Sequence, residues 1–244
     1  MKKYEAIILC GGKGNRIKKI TKKKPKCLIN FNNKPFLFYQ LRYLKNNDVK
    51  NVILSVNYKA EQIKYYVKNN INFINIKIVN DGKNLLGTGG AVKKSIKFLK
   101  DYFYVIYGDS YLNFKLKNLK SIDKYSTMAI YKNKNKYDKS NVEINKSKFI
   151  IYDKSKKMKN YSYIDYGVSY LEKKIFKNYK KNSRFDLSNL LQKISKNKGL
   201  KGYVVKKRFY EIGSYSGINQ FKNFLKKWVL SKFIKKILLN HYLN

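Results

Sequence analysis

The stretch AIILCGGKGNR sets Gly11, Gly12 and Gly14 directly behind an apolar run and ends on Arg16. Glycines in that place leave backbone N–H groups uncovered by any Cβ, so the loop can form a concave anion cradle, with phosphate as the natural guest. Arg16 sets a planar, permanently charged fork beside it, suited to a polyphosphate. Nine residues on, Pro25 stiffens the chain and presents Lys26. GGKGNR is neither G-x-G-x-x-G nor a P-loop, and by itself it also reads as a tight strand-to-helix turn. Downstream, Gly87, Thr88, Gly89 and Gly90 begin a segment of helical period. N–H groups at such a start can meet an anion or a carbonyl, or simply open an ordinary helix. Asp109 closes an apolar run, a position open to capping a helix or to holding a metal.

These residues need elements to hold them. Apolar β-rich runs at 4–10, 51–57, 74–80 and 102–109 alternate with helical periods at 35–47, 59–70 and 88–100. Strand and helix in alternation predict an α/β domain with a mainly parallel sheet, helices on both sides and ligands beyond the carboxyl ends of the strands, where Asp109 stands. From about residue 125 the rhythm changes. Strands are expected at 126–132, 141–145, 148–153 and 163–171, with NKSK (145–148) as a hairpin turn. Helices near 172–179 and 186–196, a strand at 200–205 and a helix from 214 complete the chain. Residues 1–225 read as one domain. Residues 226–244 read as a C-terminal amphipathic helix with Leu230, Phe233, Ile234, Ile237 and Leu238 on one face, docking on its own domain or on a second copy in a homodimer, or else touching anionic lipid.

The net charge of +42 suggests a polyanion partner at first sight, but Lys and Arg together number 56 and only four are arginines. Abundant Lys, Asn, Ile and Tyr with scarce Pro and Gly is the pattern of AT-rich coding. Proteins that read base edges lean on arginine, so no specific nucleic acid is expected, only salt-sensitive sticking. Cys10 and Cys27 have neither zinc spacing nor disulfide density, which points to a reduced, cytoplasmic setting. The basic N-terminus runs straight into the glycine loop, so neither a signal peptide nor a transmembrane segment is expected.

Taken in order, LCGGKGNRIKKITKKKPKCL followed by NKPFLFYQLRYL resembles the signature of the sugar-1-phosphate nucleotidyltransferases: G-G-x-G-T-R, a spacer, P-K-x-L and a K-P-x-L helix start. LLGTGGAVKKS and VIYGDS resemble further segments of that family, and the pattern is most similar to its D-glycero-D-manno-heptose 1-phosphate guanylyltransferase branch. The resemblance implies a Rossmann-like three-layer α/β/α fold. It assigns nucleotide binding to Cys10, Gly11, Gly12, Gly14, Asn15, Arg16, Gly87, Thr88, Gly89 and Gly108, and catalysis to Arg16, Lys26 and Asp109. It places Mg2+ on Asp109 and Glu211, and the sugar phosphate on Asp153, Lys154, Asp165 and Gly167. The implied reaction joins a sugar 1-phosphate, the heptose being the first expectation, to an NTP, with GTP the first expectation, giving a nucleotide sugar for surface polysaccharide and pyrophosphate. Mannose 1-phosphate guanylyl transfer, transfer from UTP, CTP or dTTP, and an inactive polyanion-binding protein on the same scaffold are the alternatives. No hexapeptide-repeat domain is read after the first 225 residues, so a bifunctional member is not expected. The sequence departs from the family pattern at Asn15 for threonine, Cys27 for proline, Asp153 for glutamate, Glu211 for aspartate and IDYG for N-G-G. The only histidine, His241, lies near the end of the chain and is expected at the surface.

Overall fold

The computed structural model describes residues 4–82, 85–155 and 161–241, apart from the side chains of 229 and 231–241. The first half alternates as expected: β1 (Tyr4–Leu9), a one-turn α1 (Lys18–Thr21), the small ribbon β2 (Asn30–Phe31) and β3 (Lys34–Pro35), α2 (Phe36–Lys45), β4 (Val49–Val56), α3 (Ala60–Asn70), β5 (Asn75–Asn80), α4 (Gly87–Ser95) and β6 (Tyr102–Tyr107). The second half follows with β7 (Ser110–Tyr111), β8 (Ser126–Lys132), β9 (Val142–Ile144), β10 (Ile150–Tyr152), β11 (Tyr163–Glu172), α5 (Leu187–Lys196), β12 (Leu200–Val205), β13 (Tyr210–Glu211) and α6 (Tyr215–His241).

The main sheet has nine strands, ordered β10-β9-β11-β6-β1-β4-β5, with β8 also beside β11 and β12 beside β8. Strands β6, β1, β4 and β5 are parallel. β11 then pairs antiparallel with β6, β8 and β9. Side chains alternate across a strand, so β1 sends Ala6 and Ile8 into one core with Leu37, Leu41 and Tyr104, and Ile7 into the other with Val92, Phe103 and Leu190. Burial on both faces is why the central strands read as unbroken apolar runs.

A third, smaller core gathers Ile17, Ile29, Phe31, Phe36, Ile212, Ile218 and Phe221. Phe221 packs edge-on against Phe31 and Phe36 at 4.9 and 5.1 Å between ring centres. That contact pins the start of α6 to the glycine-loop side of the domain.

Three expectations change. The helix expected at 172–179 is a 3-10 turn, Lys173–Phe176, because β11 runs on to Glu172 and the Lys173 N–H is taken by the Asp101 carbonyl at 2.7 Å. The helix expected at 88–100 starts at Gly87 and leaves α geometry after Ser95. α6 runs unbroken across 225–226, and of the apolar face expected there only Leu230 falls among the described side chains, where it is 59% exposed. Phe233, Ile234, Ile237, Leu238 and the His241 side chain lie outside that description. Among the described residues no helix is long and apolar enough to cross a membrane.

Candidate active site

Two cavities open at the carboxyl ends of the parallel strands. The first, about 570 Å3, is lined by the end of β1 with Gly11 and Gly12, by Lys26 and by the Gly87–Thr88 start of α4. The second, about 560 Å3, is lined among others by Arg16, Lys154, Asp165, Gly167 and Glu211. Thr88, Tyr107, Asp109 and Asp186 line both, so the two adjoin at a shared wall.

Asp109 is the residue of that wall that carries an ion pair into the first cavity. The Lys26 ammonium donates to its Oδ2 at 2.6 Å, an ion pair with both side chains about one-fifth exposed. Pro25 is extended at φ −65° and ψ 149° and starts the turn that aims Lys26 inward. Glu211 arrives from the far end of the chain through the two-residue ribbon of β7 and β13, in which Glu211 faces Ser110 and the Ile212 N–H donates to the Asp109 carbonyl at 3.0 Å.

Gly213 shows how tightly these groups converge. A Cβ there would stand 2.6 Å from Arg16 Nη2, 2.7 Å from Glu211 Oε2 and 3.0 Å from Asp109 Oδ2, so a cation fork and two carboxylates face one point that only glycine leaves open. The Gly213 N–H donates to Glu211 Oε2 at 2.5 Å and the Ser214 hydroxyl to Oε1 at 2.6 Å, which folds the longer glutamate chain back toward its own loop. Two hard carboxylates, with no third His, Cys, Asp or Glu near enough to form a cluster among the described residues, suit magnesium. That ion takes one or two carboxylates and fills its remaining positions with water and phosphate oxygens. The residues present therefore fit the divalent cation that the family resemblance implies.

In the second cavity, β11 slips register against β8 between Asp165 and Ser169. Gly167 makes this bulge at φ +89°, where a Cβ would press on the Ser110 side chain, so the position needs glycine twice over. The bulge turns Asp165 into the cavity, with its Oδ1 accepting the Gly167 N–H at 2.8 Å. Burial pushes the Asp165 carboxyl up to about 6. Lys154 sits on the same cavity wall, paired with Asp186 at 3.1 Å. Burial works against ionised Asp186, but the Lys154 hydrogen bond and charge hold its carboxyl below the usual range.

Several residues expected in the site sit elsewhere. Gly14 and Asn15 line neither cavity: Gly14 caps a 3-10 turn at φ +68°, and its carbonyl lies 3.1 Å from the Thr21 hydroxyl. Arg16 faces the second cavity instead of the first, because that same turn carries it toward Gly213. Gly89 also leaves the wall. Its N–H and that of Gly90 donate to the Phe185 carbonyl at 2.9 and 3.2 Å, so neither is free for a ligand. Asp153 is buried behind the second cavity, with its Oδ1 accepting from the Ser155 N–H, the Ser155 hydroxyl and Gln192. Cys10 lines the first cavity, and its thiol is pushed up by a hydrogen bond with Cys27 and by burial. Gly108 lines it too.

Other lining residues escaped the reading of the sequence. Asp81 and Ser55 were findable, since they stand at the carboxyl ends of β5 and β4, where ligands of such sheets collect. Arg184 and Phe185 carried no signal. Nor did Arg208, whose guanidinium stacks 3.7 Å over the Tyr137 ring, a residue far away in sequence.

The nucleotidyl transferase family model matches residues 5–227. The chain is 36% identical over 211 residues to the D-glycero-alpha-D-manno-heptose 1-phosphate guanylyltransferase of Campylobacter jejuni, covering 86% of this chain and 94% of that one. It is 31% identical over 215 residues to the enzyme of the same description from Aneurinibacillus thermoaerophilus, covering 86% and 93%. Among solved structures it is similar to HddC from Yersinia pseudotuberculosis, also solved complexed with GMP-PN, at a TM-score of 0.76 and 27% identity over 91% of this chain and 99% of that one.

Proposed function

The chain belongs to the nucleotidyl transferase family, and from that premise we propose that it joins a sugar 1-phosphate to a nucleoside triphosphate across the wall shared by its two cavities. The first cavity takes the nucleotide and the second the sugar phosphate. By likeness to the heptose guanylyltransferases, the pair is D-glycero-α-D-manno-heptose 1-phosphate and GTP. An oxygen of the sugar phosphate attacks the α-phosphorus, a new P–O bond forms, and the α–β bridge breaks with its electron pair leaving on pyrophosphate.

Two polyanions must meet, so the protein's work is positioning and charge neutralisation, with no protein nucleophile needed. The Gly11 and Gly12 amides border the nucleotide, and Lys26 moves from Asp109 to the α-phosphate as the nucleotide enters. Arg16, on the second-cavity side of Asp109, offsets phosphate charge where the two polyanions meet. Lys154 leaves Asp186 for the sugar phosphate, and Asp165 accepts a sugar hydroxyl. Asp109 and Glu211 would hold the magnesium, which supplies further neutralisation of the phosphate oxygens.

The observation that carries this reading is the Lys26–Asp109 pair at 2.6 Å, which joins a first-cavity cation to the carboxylate that lines both cavities. Pyrophosphate release from each common NTP, measured against a panel of sugar 1-phosphates with magnesium, tests it. Turnover is expected with GTP and the heptose phosphate. No release from any pair, together with salt-sensitive RNA binding, would replace it with a polyanion-binding protein.

A further inference from the structure

Three carboxylates stand on the wall of the first cavity: Asp81, Asp109 and Asp186. Asp109 is paired with Lys26, and Asp186 with Lys154. Among the described residues Asp81 has no such ammonium on its carboxylate, only the Ser55 hydroxyl on Oδ1 at 3.3 Å. Asp81 is 9% exposed, and burial pushes its carboxyl up, offset in part by the Ser55 hydrogen bond and by the charge of Lys94, whose ammonium bonds the Asp81 backbone carbonyl and not the carboxylate. Its other oxygen, Oδ2, lies 3.7 Å from where a Cβ on Gly11 would stand, so it faces the glycine loop.

The backbone of Asp81 and Gly82 is tied by hydrogen bonds. The Asp81 N–H donates to the Val56 carbonyl at 3.0 Å, extending the ladder of β4 and β5 by one rung. Lys94 donates to the Asp81 carbonyl at 3.0 Å, and the Asn57 amide to the Gly82 carbonyl at 2.9 Å. A residue so placed is preorganised to accept hydrogen bonds from something in the cavity. A phosphate is the wrong guest, because a carboxylate repels it. The polyphosphate therefore belongs at the Lys26 end and the base at the Asp81 end.

An ionised carboxylate accepts and cannot donate. Among the common bases only guanine offers two adjacent donors on one edge, N1–H and the N2 amino group, spaced to meet both carboxylate oxygens. Adenine and cytosine each set a donor beside an acceptor, and uracil sets its one donor between two acceptors. We propose that Asp81 reads the base, taking the N1–H and N2–H of guanine on its carboxylate, and so makes the first cavity selective for a guanine nucleotide. This rests on the reading that the first cavity holds the nucleotide.

Calorimetric titration of the full chain with GTP, ITP, ATP and XTP, without any sugar phosphate, tests it. Inosine lacks the 2-amino group, so ITP should bind about tenfold to a hundredfold more weakly than GTP, the scale of one hydrogen bond to a charged group. Xanthine has a carbonyl at that position, so XTP should bind poorly. Asp81→Asn turns one acceptor into a donor, and the preference should reverse, with XTP bound more tightly than GTP. A wild-type protein that binds ITP as tightly as GTP, or a folded Asp81→Asn protein that still prefers GTP over XTP, overturns the proposal. Should that variant fail to fold, Ser55→Ala, which removes only the partner on Oδ1, should lower the GTP-to-ITP ratio several-fold, and an unchanged ratio is equally fatal. Because titration needs no turnover, Asp81-dependent GTP binding without pyrophosphate release would defeat the transferase reading alone, and turnover indifferent to Asp81 would defeat this inference alone.

Discussion

The two cavities share a wall but are built by different means. The first, closed by Lys26, the start of α4 and residues 184–186, is built around strand ends and the turns that follow them: Gly11 and Gly12 after β1, Asp81 after β5, Gly108 and Asp109 after β6. Each group sits within a few residues of a strand locked in a parallel ladder. The second is made of long-range closures: the β11 bulge, a ribbon joining Ser110 to Glu211, and Arg208 stacked on Tyr137. A site of the first kind is as rigid as the sheet. One of the second kind depends on whatever holds distant segments together, and for the ribbon that brings in Glu211 that is the aromatic core around Phe221, against which Tyr111 and Tyr210 pack. Truncating the packing that supports the second cavity should therefore act through assembly, and substitutions at the first through chemistry.

The largest effect is expected where the two meet. Asp109→Ala removes the carboxylate that both cavities share and should lower kcat by ~10³-fold or more, with thermal unfolding little changed, because losing the developing-charge partner of a phosphoryl transfer costs on that scale. Near-normal kcat in a magnesium assay would dissolve the shared wall as the reaction centre.

Next comes Phe221→Ala. Truncating a fully buried phenylalanine costs about 3–5 kcal/mol, read as a fall in the denaturant midpoint. If the second cavity is assembled through this core, KM for the sugar phosphate should rise while GTP affinity, measured by titration on the protein that remains folded, stays within a few-fold. Equal loss of both ligands would erase the contrast between the cavities.

The smallest effect concerns Asp165. Its carboxyl, raised from 3.8 to about 6 by burial, stays protonated in the folded chain over a range in which the unfolded chain has ionised. The unfolded state then binds fewer protons, so this group's contribution to stability falls as pH rises from about 4 to about 6 and levels off above. Binding runs the other way. The ionised form accepts a sugar hydroxyl more strongly, so KM for the sugar phosphate should drop by up to about tenfold as pH climbs through 6, the scale of a hydrogen bond gaining charge. Asp165→Asn should flatten that profile and leave the KM for GTP unchanged. A profile that persists in the variant belongs to another group.

How far the sequence could be read divides along the same line. β1, β4, β5 and β6 were legible because central parallel strands bury both faces and stand out as apolar runs. Gly11, Gly12, Lys26 and Asp109 were legible because scarce glycine and proline mark the turns behind those strands. Glu211, Asp165 and Gly167 could be named only by resemblance, since nothing near them in the chain says what they face. Gly89 and Asp153 were misplaced for a related reason: their polar groups are taken by Phe185 and by Ser155 and Gln192, partners that spacing along the chain does not reveal.

Periodicity and glycine placement thus determined the α/β architecture and the position of the glycine loop, because each depends on residues within one turn or strand of each other, and the resemblance of the ordered motifs to a family supplied the class of chemistry. Which side chains meet across the cavities was decided only by tertiary structure. Lys26 on Asp109, Glu211 drawn to the same point at Gly213, and Asp81 left, among the described residues, with only the Ser55 hydroxyl on its carboxylate depend on strand order and register, which join segments dozens of residues apart and leave no local trace.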